Sequence, residues 1–263
     1  MTFSVLIILL IFYSAAGWIL EVSYCAVVQH RLTNRGFLFG PLCPIYGVGC
    51  VLMAALLKPF ESNYVLLFLL ATVTTTALEY ATSWVLEKMF STTWWDYSES
   101  KFNFQGRVCL ENSLAFGLMG IVVVRVIHPY VVHSLDRIPA HWLRVMAAVF
   151  FVVASIDLSF TLETLIRLDR KIAGLKQFAD GLMMNLQVHA WFDAHDLKAS
   201  LTRLRKIALA DSCECFAVDL RRFENIVADS CGMQRMFRSF PGLQNKKHNF
   251  RLDSFKKIVS LTS

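Results

Sequence analysis

Glu21 and Glu79 are carboxylates set inside long apolar stretches. An ionised acid near the centre of a bilayer costs about 2.5–3.5 kcal/mol on insertion scales, so each needs a partner or a task. At that depth a carboxylate can carry a proton, pair with a cationic solute, or tie neighbouring helices together by hydrogen bonding. Two such groups within a few ångströms would repel one another, raising one pKa as in an acid/base or aspartic-protease-like pair. Around Glu21, the residues Ser14, Gly17, Trp18, Tyr24 and Cys25 recur at helical spacing on one face. Around Glu79, the residues Thr72, Thr75, Thr76, Thr82, Ser83 and Glu87 form a polar stripe at the same spacing. In the last apolar stretch Asp157, Thr161 and Thr164 share a face, with Ser155, Ser159 and Glu163 on a neighbouring one, and Glu111 opens the stretch before it.

Two polar loops fall on the same side as these groups. The first reads Asn34-Arg35-Gly36-Phe37-Leu38-Phe39-Gly40-Pro41-Leu42-Cys43-Pro44-Ile45-Tyr46-Gly47. The second runs from Trp94-Trp95-Asp96-Tyr97-Ser98 to Asn103-Phe104-Gln105-Gly106-Arg107. A cation and a carboxylate desolvated together cost less than either alone, so Arg35, Lys88, Lys101 and Arg107 are the natural partners of Glu21, Glu79, Glu87, Asp96 and Glu111. Arg35, as a forked donor, would also suit an anionic group. The candidate ligand-binding set is therefore Glu21, Arg35, Glu79, Glu87, Trp95, Asp96, Tyr97, Asn103 and Arg107. The plainer alternative makes Glu21 and Glu79 bundle glue, the basic residues interfacial charges, and Trp94 and Trp95 a membrane-interface belt. No residue pattern points to a catalytic nucleophile, a metal or a cofactor: Ser-His and Cys-His pairings and the H-E-x-x-H motif are missing from the membrane region.

The elements that hold these residues can be read from composition. Of 263 residues 56% are hydrophobic and 17% charged, and the mean hydropathy is +0.49. A soluble domain carries about 45–50% apolar and about 25% charged residues, so the chain reads as an all-α, polytopic membrane helix bundle. Apolar stretches cover residues 2–28, 64–86, 110–127 and 142–165, each near the roughly 20 residues a span requires. Residues 36–57 are apolar but carry Gly36, Gly40, Pro41, Pro44, Gly47 and Gly49, which predicts a broken or part re-entrant second element leading into a short helix. That gives about five spans. The positive-inside rule then favours the N-terminus outside and the C-terminus in the cytoplasm. Inner segments would hold Arg31, Arg35, Lys88, Lys101, Arg107, Arg167, Arg170, Lys171 and Lys176, against Lys58, Arg125, Arg137 and Arg144 outside.

Residues 1–168 are charge-neutral and residues 169–263 carry the whole net charge of +6, so the expected division is a transmembrane domain over 1–168 and a basic, helical cytoplasmic tail over 169–263. In the tail, Leu175, Phe178 and Leu182, then Leu201, Leu204 and Ile207, recur at helical spacing, and Pro241-Gly242 precedes a last basic helix over 250–259. Such a tail hugs anionic membrane lipid; no zinc-finger, helix-turn-helix or RNA-binding signature points to nucleic acid. A reduced compartment leaves the seven cysteines as thiols, and the spacing of Cys213, Cys215 and Cys231 matches no zinc pattern. His128, His133 and His141 read as histidines of an outer loop near Asp136.

The same residues carry a family resemblance. Gly17-Trp18 with Glu21, then Asn34-Arg35-Gly36-Phe37-Leu38-Phe39-Gly40-Pro41 and Pro44-Ile45-Tyr46-Gly47, resemble the ABC-transporter type IV, permease-like family of bacterial integral membrane proteins. Leu78-Glu79-Tyr80 with Glu87, Trp95-Asp96-Tyr97-Ser98, and Asn103 with Gly106-Arg107 continue the likeness over about residues 1–168; Phe240-Pro241-Gly242-Leu243 resembles tails of the family more weakly. The resemblance implies an integral membrane protein of a Gram-positive-type bacterium with a transport role. The chain has no G-x-x-x-x-G-K-[ST] phosphate loop, so an ATP-driven role would need a separate ATPase subunit, for which residues 88–107 or the basic tail offer docking segments.

The function expected from these features is a permease-like transport component of the plasma membrane, homo-oligomeric or partner-dependent. It would bind a small charged solute or ion in a polar layer near the cytoplasmic face. A membrane-embedded enzyme or lipid-headgroup-handling protein is the first alternative, because Arg35, Arg107 and Asp96 lie where headgroups lie. A sensor or scaffold working through its tail is the second.

Overall fold

The computed structural model describes residues 2–30, 34, 36–90, 92–186 and 244–245. Arg35, the tail cysteines and the expected tail helices around 201–207 and 250–259 lie outside the described residues. Among the described residues, four helical runs are long and apolar enough to cross a membrane: Phe3–Val27, Tyr64–Phe90, Leu110–Leu135 and Ala140–Arg167. They belong to helices α1 (Phe3–Gln29), α3 (Tyr64–Phe90), α4 with α5 (Leu110–Val122 and His128–Leu135), and α6 (Ala140–Leu186). The expected count of about five spans is thus reached only up to four. Residues 36–43 are irregular and lead into a shorter helix, α2 (Pro44–Leu57), extended by one 3-10 turn, Lys58–Phe60. Pro44 suits the first turn of α2, where a missing N–H leaves nothing unsatisfied.

The fourth span is longer than the sequence suggests. α4 and α5 are joined by a π-helical turn, Val123–Ile127, so the helical run continues past Arg125 and His128 to Leu135. Pro129 is accommodated because it falls in the first turn after the π segment. This corrects the expectation of a helix ending near Ile127 and of His128 in an outer loop. His128 is buried, and its Nδ1 lies 3.0 Å from the hydroxyl of buried Tyr13 on α1. His133 instead pairs at 3.0 Å with Arg137 on the surface. Arg125, expected among the outer-loop cations, lies within this helical run with its guanidinium 4.1 Å from the centre of the Tyr64 ring.

Two compact units divide the chain: residues 1–89 with 94–162, and residues 90–93 with 163–263. In the second, strand β1 (Thr92–Thr93) pairs antiparallel with β4 (Gln244–Asn245), and Arg167 pairs with Glu163 one helical turn away at 2.6 Å. In the first, the core is built by Ile8, Leu9 and Tyr13 of α1, Cys50, Met53 and Leu57 of α2, Leu67 and Ala71 of α3, and Val123, Val131, Leu143 and Ala147. A short hairpin, β2 (Asn103–Phe104) with β3 (Val108–Cys109), leads into α4, with Asn103 opposite Cys109 and Phe104 opposite Val108.

α2 runs back along the first half of α1. The Cys43 N–H donates to the Ser14 carbonyl at 2.9 Å, and Gly47 lies against Ser14 and the Leu10 carbonyl. One turn along, Gly17 has no room for a Cβ, because the Tyr46 ring occupies that place. These glycines let the two helices touch backbone to side chain, and the approach starts α2 level with the middle of α1. The irregular segment ahead of α2 is satisfied by protein groups, as backbone at membrane depth requires. Trp18 Nε1 donates to Asn34 Oδ1 at 2.6 Å, and the Asn34 amide donates to the Phe39 carbonyl at 3.1 Å. Asp157 of α6 accepts the N–H groups of Phe39 and Gly40 at 2.9 and 2.8 Å.

Candidate functional site

The packing of α2 on α1 aims Tyr46 at Glu21. The Tyr46 hydroxyl donates to Glu21 Oε1 at 2.6 Å, and the edge of Phe116 on α4 packs on its ring with centroids 6.1 Å apart. A second phenol–carboxylate pair lies beside it. Tyr97, carried by the loop between α3 and β2, donates its hydroxyl to Glu79 Oε1 at 3.2 Å. The two pairs are close enough to feel each other: Glu79 interacts electrostatically with Glu21, and Tyr46 with Tyr97. Asn112, in the first turns of α4, hydrogen-bonds the Tyr97 hydroxyl as well. α1, α2, α3, α4 and the 94–109 loop thus each place one polar group in a common layer.

Burial sets the character of this layer. Glu79 is 7% exposed, and its Oε2 is buried with no hydrogen-bond partner among the described residues. Burial above all, and then the neighbouring Glu79 charge, hold the Tyr97 phenol proton well above the usual tyrosine range, so Tyr97 stays a donor.

The other expected site residues that are described lie at the end of α3 and in the loop that follows it. Arg107 Nη2 pairs with Glu87 at 2.9 Å, and the guanidinium lies 5.4 Å from the centre of the Tyr80 ring. Trp95 Nε1 donates to the Arg107 carbonyl at 2.9 Å, pinning the loop. Asp96 accepts the Ser98 N–H at 2.9 Å, and Asn103 bridges the Ser100 carbonyl at 2.8 Å and the Gly106 N–H at 3.1 Å. Gly106, at φ +67, faces Ser98 and Asp96 where a Cβ would stand. Asp96 and Asn103 therefore shape the turn. Lys88 lies over the Trp84 ring at 5.6 Å, and of the expected cations Arg107 is the one that pairs with Glu87 at 2.9 Å. The threonine stripe on α3 is largely self-satisfied: Thr72, Thr75 and Thr76 donate to carbonyls one turn back at 2.7–2.8 Å.

Tyr46, Asn112 and Asp157 were not among the expected site residues. Asp157 was visible as a span carboxylate, yet its partners are main-chain groups more than a hundred positions away. For Tyr46 the available signal was Gly17, one turn from Glu21 on a face otherwise lined by larger side chains.

Residues 8–162 match the model of the family described as "Putative ABC-transporter type IV", and the chain belongs to that family. No curated protein and no solved structure matches it. Family membership and the apolar helices together make this a membrane protein related to transport.

Proposed function

For a chain of this family we propose a permease-like transport component that binds a small charged solute or ion in the layer formed by Glu21, Tyr46, Glu79 and Tyr97. The observation that carries the reading is the convergence of two carboxylates from different helices, one of them buried with an open oxygen. Buried carboxylates at membrane depth commonly mark ion and substrate pathways. Helix α2, preceded by irregular backbone at the level of these groups, has the build of the broken helices that line transport sites. Glu87, Trp95, Asp96, Asn103 and Arg107 close the layer on one side, and Arg35 belongs to the same polar end by sequence. In the proposed orientation that end faces the cytoplasm, with the N-terminus outside and the basic tail inside. An ATPase subunit, supplied by another chain, or a second copy of this one would complete the transporter.

Thermal unfolding in micelles tests the binding claim. Metal cations, amines and organic anions are screened for a ligand that raises the Tm, since a ligand that binds the fold stabilises it by mass action. The rise should vanish in Glu21→Gln and Glu79→Gln. A ligand that stabilises both variants as well as wild type would place binding elsewhere.

A further inference from the structure

We propose that Arg125, backed by the ring of Tyr64, holds the phosphate of an anionic membrane phospholipid at the end of the bundle away from the carboxylate layer. Tyr64 opens α3, fifteen residues or about 22 Å along that helix from Glu79, so the site is separate from the layer of Glu21 and Glu79. Solute binding in that layer and lipid binding here stand or fall separately.

An arginine within a helical run apolar enough to cross a membrane needs a partner. Arg125 forms no hydrogen bond or ion pair among the described residues, and its Nη1 is enclosed without an acceptor. What it has is the Tyr64 ring, whose centre lies 4.1 Å from the guanidinium. A ring covers one face of a guanidinium and uses none of the in-plane N–H donors, whose fork fits two oxygens of a phosphate. The placement is built into the fold. Gly117 meets Thr72, and Gly120 meets Ala71, where Cβ atoms would stand, so α4 runs close against α3 in the opposite direction. The π turn Val123–Ile127 continues that line and brings Arg125 to Tyr64. Such turns inside helices are rare and frequent at functional sites.

Charge and apolar surface agree on the occupant. Residues 58–64 and 125–144, at this end, carry Lys58, Arg125, Arg137 and Arg144 against Glu61 and Asp136. Lys58 interacts electrostatically with His128, about one turn beyond Arg125, and Glu61 forms no ion pair among the described residues. That surplus attracts an anion. Beside the contacts that join α3 to α4, Val65, Leu69 and Val73 on one helix and Leu118, Val122 and Val126 on the other are exposed at steps of four. Apolar stripes next to a cation suit acyl chains next to a headgroup phosphate, as in basic lipid sites between membrane helices; a free anion gains nothing from them.

Native mass spectrometry of the purified full chain, released from dodecyl maltoside micelles at increasing phosphatidylglycerol, tests this. Diacylglycerol, with acyl chains and no phosphate, and glycerol phosphate, with phosphate and no acyl chains, are the comparison arms. Retention of at least one phosphatidylglycerol is expected, about tenfold or more tighter than either comparison compound. Arg125→Gln should weaken it about tenfold, since charge-assisted bonds to the phosphate are lost. Arg125→Lys keeps the charge without the fork or the flat face, and should weaken it several-fold. Glu163→Gln, an exposed surface change, should leave the affinity unaltered. Unchanged phosphatidylglycerol affinity in folded Arg125→Gln protein overturns the proposal; should that variant fail to fold, unchanged affinity in folded Arg125→Lys does so. Diacylglycerol or glycerol phosphate bound as tightly as phosphatidylglycerol, or no lipid retained at all, overturns it too.

Discussion

The carboxylate of Asp157 on α6 holds the backbone N–H groups of Phe39 and Gly40, at 2.9 and 2.8 Å. A single side chain thereby satisfies two consecutive donors of the irregular segment ahead of α2, in a setting where water is scarce. Gly40 fits there because a Cβ would fall 2.8 Å from Asp157 Oδ2. Replacing Asp157 by Ala orphans both donors, at about 1–3 kcal/mol each for a buried group. Asp157→Ala should therefore lower the Tm in micelles markedly, and Asp157→Asn, which keeps one acceptor oxygen, should do so by less. Equal losses in the two variants would show that the clamp acts by charge or volume alone.

Gly17→Ala should disturb the site at a distance. Its new methyl would occupy the space of the Tyr46 ring, and overpacking of this kind costs about 1–3 kcal/mol. Pushing the ring aside also lengthens the 2.6 Å bond to Glu21. Thermal unfolding of Gly17→Ala alone and combined with Tyr46→Phe measures this. The pair should lose less stability than the sum of the singles, since both damage one contact.

The carboxylate layer was legible in the sequence because its clues are local. Glu21 and Glu79 each stand in the second half of an apolar helix, and the loop with Tyr97 follows the second of these helices. Phenol–carboxylate pairing was not legible, because it depends on how closely α2 approaches α1, which is a matter of Gly17 and Gly47 meeting particular neighbours. The long fourth helix was missed for a related reason. Arg125 read as the end of the stretch, whereas a π turn carries the helix past it and the Tyr64 ring covers the guanidinium. The turn-forming bonds of Asp96 and Asn103 to the loop's own backbone were not legible either, because turn-forming and ligand-binding residues share the same chemistry.

The Arg107–Glu87 pair, partly buried at 15% and 20% side-chain exposure, should behave as a coupled unit. Removing Glu87 takes the ion-pair partner from the Arg107 guanidinium, at about 3 kcal/mol for a well-buried pair and less here. In a double-mutant cycle, the combined Arg107→Ala and Glu87→Ala variant should lose less stability than the sum of the two single losses. Strict additivity would mean that the loop is held by Trp95 and the hairpin alone.

His128 and Tyr13 provide a check on the corrected fourth helix. His128→Phe leaves the Tyr13 hydroxyl without its hydrogen-bond partner, costing about 1–3 kcal/mol, whereas His128→Gln, whose amide can donate or accept, should cost less. Cysteine labelling gives a second view. A His128→Cys thiol should resist a membrane-impermeant maleimide that readily modifies His133→Cys, which stands on the exposed side of α5. Equal labelling would return His128 to a loop.

The most direct test of the central claim, that solute moves through the layer of Glu21 and Glu79, is flux in reconstituted liposomes. Sodium, potassium, proton, amine and organic-anion movements are measured for wild type, Glu21→Gln and Glu79→Gln at matched amounts of folded, monodisperse protein. Flux of one solute by wild type, abolished in both variants, is expected. Undiminished flux in folded Glu21→Gln and Glu79→Gln protein would contradict it and leave the two carboxylates as groups that only hold the helices together.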